Sequence, residues 1–299
     1  MQSLLQDPIV QSTGLPFVAA LVLAVVIRFA LGAQRGRLLA VAAAGLGFLA
    51  CYWNLLGIPA FPPPASSQKV FYLALLGLVA GLAIDLTGSG RKAGHAFSFT
   101  FPAIALLWLA WRTISAGPGI GDLLTVLALF AGSILVFWRV AAAARQADVE
   151  ADPRHALSPA IMVFVAATGA GLAALFGASA SLSQLSIGLA FATAGFLLLA
   201  YIGYLRGETF GFGGTGAFGA AGALIVLVAV MALFAGRVSK WALALILLVF
   251  AADFLARRVA LKGKAGRLLN PFLYGAIVAI PAAAGAVVAA LSSDSGSGY

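Results

Sequence analysis

The chain has 299 residues, of which 63% are apolar, 9% are charged and 35 are glycine. A soluble domain carries about 25% charged residues, so this chain is too poor in charge to cover its own surface in water, and a water-soluble globular fold is excluded. The net charge is +9, but the cations lie between apolar runs rather than on one face or tail, which argues against nucleic acid and for a topological role at a bilayer.

A helix that crosses the hydrocarbon layer needs about 20 apolar residues at about 1.5 Å each. Ten candidate spans are predicted, at about 14–32, 38–57, 70–86, 97–115, 122–143, 159–178, 182–205, 217–235, 240–256 and 271–291. The predicted fold is an all-α polytopic bundle of about ten transmembrane helices with short loops. It forms a single transmembrane domain over 1–299, with candidate halves 1–145 and 158–299 joined by a short polar connection.

In chain order, "MQSLLQDPIVQSTG" has no basic residue before the first apolar run. It lacks the n-region of a signal peptide, so the first hydrophobic segment is expected to stay as a helix. The second span holds Cys51, the only cysteine, which rules out an intrachain disulfide or a cysteine metal cluster. It also holds Asn54, an uncharged polar residue at depth. The outer connection "GIPAFPPPASSQK" carries four prolines, which favour an extended, stiff segment.

The third span contains Gly77 and Gly81, a G-x-x-x-G face for close approach of another helix. One turn before its end stands Asp85, followed by Arg91 and Lys92. Pro102 should disturb the start of the fourth span. Ser133, Thr168 and Gln184 are further uncharged polar residues at depth, expected to hydrogen-bond between helices. The polar run "ARQADVEADPRHA" after the fifth span is predicted to be the longest loop. Ser158-Pro159 and Asn270-Pro271 each place a capping residue before a proline, which predicts a helix start at both. His95 and His155 are the only histidines and fall in connections, which excludes a haem held by paired histidines inside the bundle.

"GETFGFGGTGAFGAAG" contains a G-x-G-x-x-G pattern, but no strand precedes it, so a dinucleotide site is not predicted. A tight inner loop leading into close helix packing explains the glycines, with Glu208 near Arg206 at its edge. In span 9, Asp253 has Arg257 four residues on, one helix face away, which predicts an ion pair where the helix meets the headgroups. The stretch "LVFAADFLARRVALKGKAG" is similar to "LVAGLAIDLTGSGRKAG" of span 3, and both place an aspartate before a cluster of cations. Pro281 should kink span 10.

Counted by side, the connections after the odd-numbered spans hold fourteen Lys and Arg and the others hold four. That bias puts the odd loops in the cytoplasm, both termini outside it, and the protein in the cell inner (plasma) membrane. Aromatics agree: Tyr52, Trp53, Phe71, Tyr72, Trp111 and Trp241 mark an outer belt, and Phe137, Trp138, Tyr201, Tyr204, Phe272 and Tyr274 an inner one.

No nucleophile–base pair, phosphate loop or carboxylate pair stands at catalytic spacing, so an enzyme is not predicted. Ten short-looped helices suit a permease for a small or amphipathic solute, with Asp253, Asp85 and Asn54 as transport or coupling candidates. The alternative is a non-catalytic structural or assembly subunit of a larger membrane complex. Catalytic, cofactor and metal sites are not predicted. Expected partners are the lipid bilayer, with bound lipids, and other membrane proteins or further copies of the chain.

Overall fold

A computed structural model describes residues 7–88, 90–149, 153–177, 179–259 and 261–294. The described residues are helical, with no strand among them. Among the described residues, eight helices are long and apolar enough to cross a membrane, and one bent pair reaches that length only when its two helices are joined. We name the elements α1 (Pro8–Ala30), α2 (Gly32–Leu39), α3 (Ala42–Leu56), α4 (Ser66–Thr87), α5 (Gly90–Ser115), α6 (Ile120–Val149), α7 (Pro153–Phe176), α8 (Ala180–Leu205), α9 (Thr215–Phe234), α10 (Lys240–Leu247), α11 (Val249–Ala256) and α12 (Gly263–Asp294). Helices α2 and α3 meet at a 46° bend and have the length and composition of a span only when taken together.

The segment expected as the ninth span is two helices of 8 residues each, α10 and α11, which meet at Leu248. Neither is long enough to cross alone. Leu248 donates its backbone N–H to both Ala244 and Leu245, which tightens the turn at the break.

Helix starts differ from the sequence reading. Pro159 lies inside α7 and Pro271 and Pro281 lie inside α12. Membrane helices tolerate such prolines because neighbouring groups satisfy the freed carbonyls. Ser158 therefore does not cap a helix: its hydroxyl donates to the His155 carbonyl at 2.7 Å. Asn270 instead staples the preceding turn, accepting from Leu261 N at 2.8 Å and donating to Leu261 O at 3.2 Å. The expected polar loop is mostly helix as well, since α6 runs to Val149 and α7 begins at Pro153. Residues 150–152 lie outside the described residues.

Helix α9 is the central pillar. Its sequence is apolar on every side, and such a helix is buried all round. Every residue from Thr215 to Met231 is buried. Around it, small residues let backbones approach, as packing within lipid requires. A Cβ on Gly77 would strike the Phe218 carbonyl, and one on Gly81 would strike the Gly214 carbonyl and sit 2.7 Å from Thr215 Cα. The glycine pair of α4 thus meets α9 of its own chain.

The expected aromatic belts hold only in part. Trp53, Trp111, Trp138, Trp241 and Phe272 are exposed, whereas Tyr52, Phe137, Tyr204 and Tyr274 belong to the core. These four point inward because of their helix face, which position along the axis does not reveal. The hydroxyls at depth also depart from expectation. Those of Ser133 and Thr168 donate to the carbonyl four residues back, at 2.6 and 2.9 Å, rather than across helices. Ser183 supplies an interhelical bond instead, donating from α8 to Gly171 O of α7 at 2.8 Å.

Candidate functional site

Two carboxylates organise the arginine-rich end of the bundle, and α6 lies between them. Its residues Phe137, Ala141 and Arg145 recur at four-residue spacing and so share a face. They line a cleft of about 310 Å³ with Asp85, His95, Ser98, Gly213 and Phe218. Arg139, on another face of α6, reaches the second carboxylate, Asp253.

Asp85 is held by a helix terminus, and no cation pairs with it among the described residues. Its carboxylate accepts from Gly214 N at 2.8 Å, from Thr215 N at 2.8 Å and from Thr215 Oγ1 at 2.6 Å. It therefore caps α9 from another helix, placing negative charge where the unpaired N–H groups and the helix dipole favour it. Gly213 makes this possible: its φ is +50°, and a Cβ there would lie 2.6 Å from Asp85 Oδ2. Immediately beyond the cap, Thr215–Ala221 is a π-helical turn. Such turns are rare and frequent at functional sites.

The roof of the cleft is aromatic. Phe218 contacts Phe97 at 4.7 Å and Phe137 at 5.0 Å between ring centroids, and Phe101 joins Phe97 at 5.6 Å. Close aromatic contacts of this kind add stability beyond their area. Arg145 donates from Nε to the Ala141 carbonyl at 3.0 Å, so its stem lies along α6 at the mouth.

Asp253 is different. Its side chain is 1% exposed, and it accepts from Arg139 Nη2 (Oδ2), Arg257 Nε (Oδ1) and Tyr274 Oη (Oδ1), each at 2.6 Å. Arg139 also donates from Nε to Phe250 O at 3.2 Å. The Arg257 pair at four-residue spacing is present, but Asp253 is a buried knot joining α6, α11 and α12, not the exposed edge of a helix. Arg139 falls inside the fifth predicted span, about 122–143, and spacing along the chain does not bring it to Asp253, 114 positions away. The only available signal was an arginine adjoining an apolar segment.

Asn54 is exposed near the C-terminal end of α3. Helix α3 enters from the arginine-rich end, so Asn54 stands at the opposite end from Asp85 and Asp253, and the three candidates do not meet. Glu208 pairs with Arg28 at 3.1 Å instead of Arg206, tying the glycine-rich segment to α1.

At that opposite end a second vestibule, of about 680 Å³, is lined by Ser66, Ser67, Ser179, Ser181, Val230, Phe234 and Arg237. Helices α4 and α9 reach both openings. From Phe218 to Val230 along α9 is about 18 Å at about 1.5 Å per residue, and every residue between them is buried. No group of three or more His, Cys, Asp or Glu that could hold a metal occurs among the described residues.

The fold and these clusters define a multi-pass α-helical membrane protein. No family model, curated protein or solved structure matches the chain.

Proposed function

We propose that the protein is a permease for a small solute, with its path along the α4–α9 contact. One observation carries this reading: two vestibules, each with polar side chains in its wall, stand at opposite ends of the same helix pair, separated by a closed apolar stretch. That is what a carrier needs if it exposes one end at a time. In this reading Asp85 is the latch. Its three bonds to α9 hold the closed state, and the π-helical turn beside them is the segment that repacks. Asp253 holds α6 and α12 as a fixed frame. The full topology belongs to the same proposal: ten crossings, with the α10–α11 segment as one of them. Both termini then lie outside the cytoplasm of an inner-membrane protein, with Asp85 and Asp253 toward the cytoplasm, as the bias of fourteen cations against four supports.

Site-directed labelling tests it. On a Cys51→Ala background, Ser181→Cys should react with an impermeant maleimide from outside, and Ser98→Cys only in inverted vesicles. Val226→Cys, midway along α9, should label slowly at growth temperature and not on ice. A Val226→Cys that never labels, in protein whose vestibule cysteines do, would refute alternating exposure.

The closed middle also favours a second reading, a non-catalytic subunit of a larger membrane complex. The mass of the particle extracted in mild detergent separates the two. One chain or a homo-oligomer supports the permease, and a stoichiometric complex with other proteins supports the subunit.

A further inference from the structure

Between α7, α8 and α12 runs an apolar groove of about 470 Å³, lined by Leu157, Val165, Leu197, Leu198, Gly275 and Ala279 among others. Its volume falls in the range of about 300–1,000 Å³ typical of ligand sites. At the arginine-rich end it continues into a narrow notch of about 70 Å³ lined by His155, Arg257, Asn270 and Tyr274. Ile161 and Pro271 line both spaces, so they adjoin.

The charge of the cluster beside the notch is unbalanced among the described residues. Asp253 carries one negative charge and accepts from two guanidiniums, Arg139 and Arg257. Among the described residues, one positive charge is therefore in excess in this cluster. Asp253 takes Arg257 through Nε, and Arg257 Nη2 is buried with no hydrogen-bond partner among the described residues. A buried guanidinium donor without an acceptor is costly, and a phosphate oxygen is the acceptor its geometry suits. Phe272 and Leu198, at the groove, are exposed on the apolar perimeter, where lipid is the solvent.

We propose that this groove and notch bind one anionic phospholipid, with an acyl chain along α7, α8 and α12 and its phosphodiester against Arg257. The site is distinct from the Asp85 cleft, with which it shares no lining residue. It gives the surplus charge of the Asp253 cluster a counter-ion and would fasten α12 to α7 and α8.

The experiment compares protein taken from phosphatidylcholine vesicles with and without phosphatidylglycerol, by native mass spectrometry after a detergent wash. Wild type is expected to keep one phosphatidylglycerol per chain, at least tenfold in preference to phosphatidylcholine. Ala279→Phe fills the groove without touching the polar cluster and should lose that lipid tenfold or more while keeping the wild-type melting temperature in phosphatidylcholine. Arg257→Gln should lose the preference for the anionic lipid. Equal retention of both lipids by wild type, or retention unchanged in Ala279→Phe, would overturn the proposal. So would inorganic phosphate that raises the melting temperature of wild type and Ala279→Phe alike, which would assign the notch to a soluble anion.

Discussion

Replacing Asp253 by alanine should be the most damaging single change in the described bundle, and the size of the loss follows from its contacts. The carboxylate takes three bonds of 2.6 Å, two of them from guanidiniums whose side chains are only 18% and 13% exposed. Truncation leaves Arg139 and Arg257 facing a vacated site with no counter-charge. Removing one partner of a buried pair costs about 3–5 kcal/mol, most of it the penalty of the stranded charges. Equilibrium unfolding in mixed micelles, followed by helical circular dichroism, would measure it. Tyr274→Phe removes a hydrogen bond to a charged group and should cost about 1.5–3 kcal/mol. The reasoning has a second arm. If stranded charge is the cause, Asp253→Leu combined with Arg139→Met and Arg257→Leu should recover most of the loss, because well-packed apolar replacements of ion clusters are often neutral. An Asp253→Ala protein within about 1 kcal/mol of wild type, or a triple variant as unstable as the single one, would refute the argument.

Three further outcomes are expected. Asp85→Ala removes the cap of α9 and should cost about 1–2 kcal/mol, whereas Asp85→Asn, which keeps an acceptor oxygen, should cost less; the same unfolding assay ranks them, and an Asp85→Ala protein as stable as wild type would show that the cap contributes nothing. Gly81→Ala drives a methyl against the backbone of Gly214 and Thr215 and should cost about 1–3 kcal/mol as an overpacked contact, while Gly121→Ala, with open space around it, should be neutral; a harmless Gly81→Ala would place α4 farther from α9 than described. Cys51 is fully buried, so the native protein should resist maleimide and react only on unfolding in detergent, and rapid labelling of the folded protein would contradict the packing of α3 against α8.

The membrane class was legible in the sequence because it depends only on run length and composition. Apolar runs near span length, with charge confined to their ends, have one stable solvent. The close contact of Gly77 and Gly81 could also be read, since a pair of glycines one turn apart leaves a groove that another backbone fills. Its partner could not, because which helix arrives is settled by the whole bundle. Helix ends were misread for a related reason. The apolar run stops at the bilayer edge, but hydrogen bonding carries α6 on to Val149 and starts α7 and α12 ahead of Pro159 and Pro271.

The two aspartates divide most clearly what the chain by itself determines from what tertiary structure decides. "AIDLTGSGRK" and "AADFLARR" look alike, with an acid near a helix end and cations beyond it. Local spacing correctly pairs Asp253 with Arg257, a contact between residues on one face of a continuous helix. It says nothing of Arg139, 114 positions away, or of the α9 terminus that receives Asp85 from 129 positions away. A carboxylate wholly or partly withdrawn from water takes whatever compensating group the fold brings within about 3 Å. For one aspartate that is a pair of guanidiniums, and for the other it is the open end of a helix.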